Sequence, residues 1–182
     1  MPGLAATLQV SPVTPPQLET IRALAEKRLA EKAAERGLEA GALTISGSTV
    51  DQTSIVHVRV RQSHRGIPVF GGEAILHYRA NGELFGETDD LVSQISVSTK
   101  PTIGAADAVA RAADAARCAD CATSAPPAAL WIIRREQKDH LAYRVQLPRG
   151  TGPGPARPVV FVDAHDGAVL LQYDDLQTTP RN

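Results

Sequence analysis

The sequence predicts an α+β fold built twice in series, each unit a helix packed on an antiparallel sheet. Three observations carry this. A helix-period stretch gives way to alternating strands after Gly41, the same order returns after Pro101, and each strand set holds a turn signal, Asn81-Gly82 in the first and Asp166-Gly167 in the second. A chain of 182 residues has room for two such units, with the linker near Ser93 to Pro101.

Residues 1–13 are small and polar, punctuated by Pro2 and Pro12, and read as a loose leader. Thr14 then caps a helix that opens with Pro15 and Pro16, and Gln17 completes a capping-box spacing. Leu18, Ile21, Leu24 or Ala25, Arg28 or Leu29, and Ala33 trace its apolar stripe as far as Gly37. Arg22, Glu26, Lys27, Glu31, Lys32, Glu35 and Arg36 read as a solvated face of mixed sign. Leu43 and Ile45 mark a short strand. From Ser54 to Gln62, Val56, Val58 and Val60 point to the core while His57, Arg59 and Arg61 point to water. The next strand covers Val69 to Arg79, with Phe70, Ala74, Leu76 and Tyr78 on one face. Asn81-Gly82 supplies a tight two-residue turn into Leu84 to Thr88.

In the second unit Lys100-Pro101-Thr102 gives a breaker followed by a helix cap. Ile103, Ala106, Val109 or Ala110, and Ala113 form the stripe as far as Arg117. Strands follow at Leu130 to Arg134, Leu141 to Leu147, Val159 to Asp163 and Ala168 to Tyr173. The Pro- and Gly-rich residues 148–158 read as a surface loop.

Composition and motifs then exclude classes. Nineteen basic against twenty acidic residues give a net charge of −1, which offers no concentrated basic surface to a phosphate backbone, so no nucleic acid is expected. No apolar run is long enough to span a bilayer, and the start lacks a signal-peptide pattern, so the chain is either intracellular or preceded by a signal cut away before Pro2. H-E-x-x-H, G-x-S-x-G and P-loop patterns are all missing, and with them the zinc-hydrolase, serine-hydrolase and nucleotide chemistries; no catalytic, metal or cofactor-binding residue is assigned. His57 and His77 share the wet side of neighbouring strands but lack a carboxylate cluster, and read as surface histidines rather than a metal pair. Asp89-Asp90 and Asp174-Asp175 are too few oxygens for calcium. Cys118 and Cys121, three apart near the end of a helix, admit a disulfide as well as two free thiols.

Two stretches resemble a known arrangement. His57-Val58-Arg59-Val60-Arg61-Gln62 followed by Gly66-Ile67-Pro68-Val69-Phe70-Gly71-Gly72-Glu73 is similar to the fungalysin/thermolysin propeptide domain. Leu141-Ala142-Tyr143-Arg144-Val145 and Phe161-Val162-Asp163-Ala164-His165-Asp166-Gly167 resemble the PepSY domain that follows it in the pro-region of thermolysin-type zinc metalloproteases. The resemblance covers roughly residues 15–176 and implies two tandem cystatin-like modules, at 14–98 and 99–176, after a leader at 1–13 and before a tail at 177–182 near the processing site. It implies a secreted or periplasmic chain that partners the catalytic domain of a zinc metalloprotease, in cis or in trans, as intramolecular chaperone and as inhibitor occluding the cleft until autoprocessing. The signature positions are Gln62, Gly66, Pro68, Val69, Gly71, Gly72, Asp163 and Gly167. Their chemistry reads as shape: glycines for turns and close approach, a proline for extended entry, and Gln62 with Glu73 as local hydrogen-bonding groups. Leu171, Tyr173 and Leu176 are the expected protease contacts. A free-standing PepSY-type inhibitor or interaction module and a small-ligand binder are the rival readings. The loop at 148–158 and the C-x-x-C pair depart from the family pattern.

Overall fold

The computed structural model describes residues 12–148 and 157–175, with Ala119 as backbone alone. Its elements are α1 (Pro15–Glu35), β1 (Leu43–Val50), β2 (Val56–His64), β3 (Ile67–Tyr78), β4 (Leu84–Asp89), α2 (Ala105–Ala115), a 3-10 helix (Ala119–Ser124), β5 (Ala129–Arg135), β6 (Lys138–Gln146), β7 (Pro158–Asp163) and β8 (Val169–Asp174). The chain is α+β, as the alternation of periods predicts, and divides into two compact units. One takes the residues up to Ser63 together with Gly71–Gln94; the other takes His64–Phe70 and the residues from Ile95 on.

In the first unit α1 begins at a capping box, where the Thr14 backbone N–H donates to Gln17 Oε1 at 2.8 Å. Ile21, Ala25, Leu29 and Ala33 pack against Val56, Val58, Val60, Ala74, Leu76 and Tyr78. The stripe therefore runs through Ala25 and Leu29, and Leu24 is left exposed. Lys32 departs from the solvated face expected for it. It is 4% exposed because Glu87 and Asp89 of β4 sit 2.7 Å from its Nζ. The strand order is β1-β2-β3, with β4 on β3.

Turn chemistry sets the registers. Arg65 (φ 51°) and Gly66 (φ 78°) form the two-residue link between β2 and β3, both at the positive φ that a type I′ hairpin requires. The expected two-residue turn at Asn81-Gly82 is instead a three-residue loop, with Gly82 N–H donating to Arg79 O at 2.9 Å and Arg79 N–H to Glu83 O at 2.8 Å. Only Gly82 (φ 88°) takes positive φ there, which closes a three-residue loop rather than a type I′ turn. Gly71 (φ 77°) interrupts the alternation of β3, so Val69, Gly72, Ala74 and Leu76 are buried. Phe70 consequently leaves the face of Ala74, Leu76 and Tyr78 on which simple alternation places it, and packs in the second unit.

There, Val69 pairs parallel with Ile132 and the remaining strands run antiparallel in the order β5-β6-β7-β8. Helix α2 packs on β6, β7 and β8. Its N-cap is Gly104, not the Thr102 expected, and Gly104 N–H donates to Asp107 Oδ2 at 3.4 Å. The buried face is Ala108, Ala112 and Ala113, so of the predicted stripe Ala113 alone is among the buried residues of the helix. Glu136 (φ 48°) and Gln137 (φ 66°) make a second two-residue hairpin link, between β5 and β6, without a glycine.

Candidate partner-binding face

The signature residues occupy hairpin and ladder positions. Gln62 is 2% exposed on β2, and its side chain makes both bonds of a strand pair. Its Nε2 donates to Val92 O at 2.7 Å and its Oε1 accepts from Val92 N–H at 2.8 Å, which ties down the chain leaving β4. Gly66 closes the first hairpin, Pro68 and Val69 open β3, and Gly71 and Gly72 carry its break in alternation. Glu73 is exposed, 3.9 Å from Arg61.

Asp163 ends β7 as a buried acceptor. His140 Nδ1 lies 2.7 Å from its Oδ2, and the His165 backbone N–H donates to its Oδ1 at 2.8 Å. Burial opposes its ionisation, but the His165 N–H and the His140 ring outweigh that and hold the carboxyl below the usual carboxylate range. Gly167 (φ 79°) follows in the β7–β8 loop, where a Cβ would stand 2.6 Å from Arg111 Cζ. The geometry thus needs an acceptor at 163 and, at 167, a residue suited to the left-handed backbone region.

These loops hold β7 and β8 in register, with Phe161 opposite Leu171 and Val159 opposite Tyr173. Phe161 is fully buried under partly buried neighbours, Phe70, Trp131, Leu170, Leu171 and Tyr173. The Phe70 and Phe161 rings are 4.7 Å apart, Phe70 stacks on Tyr173 at 6.3 Å, and Trp131 meets Phe161 edge-on at 6.5 Å. The Arg144 guanidinium stands 5.9 Å from the Trp131 ring. Leu171 and Tyr173 are therefore brought together on one sheet face with three aromatic residues that the sequence did not single out for contact. Strand alternation placed Trp131 within β5, but nothing local says which rings converge. Leu176 lies outside the described residues, as do residues 1–11, most of the 148–158 loop and the tail from 177.

Cys118 and Cys121 are joined by a disulfide, with Cα atoms 5.4 Å apart, after the end of α2 and at the start of the 3-10 helix. His57 and His77 approach each other, Nδ1 to Nδ1, at 2.8 Å, and one carboxylate, Asp51, accompanies them. Among the described residues no group of three or more His, Cys, Asp or Glu side chains is arranged to hold a metal ion. No helix among them is long and apolar enough to cross a membrane. A groove of about 610 Å³ between α1 and β1 is lined mainly by Leu and Ala, and the charged residues on it, Arg22 and Glu26, are already paired at 3.3 Å.

The Fungalysin/Thermolysin Propeptide Motif family matches residues 41–88, the β1–β4 hairpins. Bacillolysin of Brevibacillus brevis is 31% identical over 134 residues, covering 69% of this chain and 25% of that protein. Thermolysin of Alicyclobacillus acidocaldarius subsp. acidocaldarius is 30% identical over 143 residues, covering 74% of this chain and 26% of that protein. The solved Bacillus megaterium YpeB C-terminal domain aligns with a TM-score of 0.47 at 13% identity, over 86% of this chain and 64% of that one. The chain spans about a quarter of the length of the curated relatives it matches. Residues 41–88 thus carry the Fungalysin/Thermolysin Propeptide Motif, and the chain is homologous over the propeptide region to the thermolysin- and bacillolysin-type metalloproteases.

Proposed function

We propose that the chain is the pro-region of a secreted or periplasmic thermolysin-like zinc metalloprotease, which assists folding of the catalytic domain and covers its cleft until autoprocessing. In this reading the chain supplies no reagent and blocks by fit. In the same reading residues 14–98 make a cystatin-like propeptide domain and residues 99–176 a cystatin-like PepSY domain. The observation that carries the reading is the partly open aromatic face of the second unit, in a chain whose residues 41–88 match a propeptide motif. Nanomolar inhibition needs about −12 kcal/mol, and interfaces of that strength bury about 1,600 Å² around a few aromatic or arginine anchors. Trp131, Tyr173 and Arg144 are anchors of that type, set on paired strands rather than on a loop.

The test is direct. The purified chain, titrated into the mature catalytic domain of its cognate protease, is expected to suppress peptide hydrolysis at submicromolar concentration and to speed refolding of that domain. Undiminished hydrolysis at micromolar chain, together with unchanged refolding, defeats the proposal.

A further inference from the structure

We propose that the His57–His77 pair makes the first unit a proton-counting clamp, which accommodates one added proton in the folded state and loses stability when a second must be taken up. The pair sits on the solvent side of the sheet. His57 Nδ1 lies 2.8 Å from His77 Nδ1, His57 Nε2 lies 3.0 Å from Asp51 Oδ2, and His77 Nε2 lies 3.3 Å from Thr88 Oγ1. These four side chains join the β1–β2 loop, β2, β3 and β4 in one hydrogen-bonded row.

Proton placement follows from donor and acceptor roles. Asp51 also accepts from the Thr53 and Ile55 N–H groups, at 2.8 Å and 3.0 Å, so its carboxylate is the acceptor in the row. His57 then donates from Nε2. With both rings neutral, His77 donates from Nδ1 to His57 Nδ1, and His77 Nε2 accepts from the Thr88 hydroxyl. A first added proton goes to His77 Nε2, the Thr88 oxygen turns acceptor, and no bond is lost. A second proton has to go to His57 Nδ1, the acceptor of the 2.8 Å bond. Two N–H groups then point at each other, and two imidazolium rings, 5.0 Å apart at their centroids, face each other across the β2–β3 pair.

Of the other charges nearby, Arg59 lies two residues along β2 on the same outward face, and Arg79, two along β3 with its guanidinium 4.9 Å from the Phe85 ring, is offset by Glu83 at 3.2 Å. The partner of His57 on β1 is Thr49, and β4 contributes Thr88 and the Phe85 ring, 6.1 Å from His77, none of them charged. Asp51 is thus the carboxylate bonded to the row, at its His57 end, and Glu83 is engaged by Arg79.

The sign is fixed by linkage. Below about pH 6.5, the ordinary imidazole value, the unfolded chain takes two protons at these positions and the folded chain one. Each further pH unit downward therefore moves the folding equilibrium about tenfold toward the unfolded state. That acid would loosen the propeptide-motif unit from a protease rests on the function proposed above; the clamp itself does not.

The experiment uses the full chain alone, so its failure is separate from failure of the inhibitor reading. Urea unfolding is followed from about pH 7.5 to about pH 5, a range spanning the imidazole value, for the unaltered chain and for His77→Gln. That variant keeps a hydrogen-bonding side chain and leaves one titrating ring. The expected result is that the unaltered chain loses about tenfold more in its folding equilibrium per pH unit than the variant does on the acid side. Equal slopes overturn the proposal. Nitrogen-15 NMR of the unaltered chain gives a reading that needs no variant: near pH 5.5, between the carboxylate and imidazole ranges, one ring of the pair should still carry an unprotonated Nδ1. Two fully protonated rings in the folded chain also overturn it.

Discussion

A buried primary amide is tolerated when its donors and acceptor meet partners, and Gln62 meets this condition by imitating a strand, giving Val92 the two bonds that a neighbouring backbone would supply. Replacing it with leucine leaves the Val92 N–H and carbonyl without those partners. Gln62→Leu is expected to cost about 1–3 kcal/mol, read as a lower urea midpoint; a midpoint equal to that of the unaltered chain removes the argument. Around Gly66 an added Cβ meets nothing within 4 Å, so the cost of Gly66→Ala is that of the left-handed backbone alone, about 1–2 kcal/mol. At Gly167 the added Cβ meets the Arg111 guanidinium at 2.6 Å, the end of an exposed, flexible side chain that can swing aside, so Gly167→Ala is expected to cost about the same 1–2 kcal/mol, or slightly more for the lost Arg111 contact to the Gly167 carbonyl. Thermal or urea unfolding of both variants measures the two costs. These roles were legible as residue types, since glycine beside a strand announces a turn, but the partner of Gln62 was not, because Val92 lies 30 positions away and outside any regular element.

Between α1 and β4 lies a charge network that periodicity concealed. Arg28, Lys32 and Arg36 recur every four residues on the helix and meet Glu87 and Asp89, with Arg28 Nε 2.6 Å from Glu87, Lys32 Nζ 2.7 Å from both carboxylates and Arg36 2.6 Å from Asp89. On sequence alone Lys32 and Arg36 share a mixed-sign, solvated helix face with Glu31 and Glu35, and Arg28 falls at the edge of the apolar stripe. The difference arises because Glu87 and Asp89 alternate with the exposed Thr88 and so point under the helix, a cross-element fact that a helical wheel omits. Hydrogen bonding from Arg28 holds the Glu87 carboxyl below its usual range. For Asp89 burial works the other way, but bonds from Lys32, the Leu91 N–H and Arg36 outweigh it. Burial likewise opposes the charge on Lys32, and its two carboxylate partners overcome it, so its affinity for the proton is raised. Lys32→Met removes the cation between two anions and is expected to cost about 2–4 kcal/mol at neutral pH. The carboxylates carry lowered folded values, so the stability they contribute is present above about pH 4 and is lost as pH falls through those lowered values. The gap between the variant and the unaltered chain should therefore narrow in acid. A gap of constant size across that range would mean the lysine acts through packing alone.

At the scale of the whole molecule, the α+β class and the recurrence of helix-then-strands were readable because hydrophobic period changes twice along the chain. The passage of β3 through both units was not, since it depends on one positive φ at Gly71 that redirects Phe70 from one core to the other. That redirection helps build the aromatic face: Phe70 lies over Phe161 and beside Tyr173, while Trp131 closes the opposite side under Arg144. Leu171 and Tyr173 alone are two side chains on the last strand, whereas the assembled face offers rings with rotamers fixed by stacking, which lowers the entropy lost on binding. If this face meets the protease, truncations at its rim should weaken inhibition while the buried Phe161 keeps the sheet packed. Tyr173→Ala and Trp131→Ala are each expected to raise the inhibition constant about 10- to 100-fold, equivalent to about 1.4–2.7 kcal/mol. Val169→Ala, on the same strand but exposed and outside the cluster, should leave it unchanged. Circular dichroism and urea midpoints of the three variants separate lost contact from lost fold. Inhibition as strong in the two ring variants as in the unaltered chain would move the interface to another surface of the molecule.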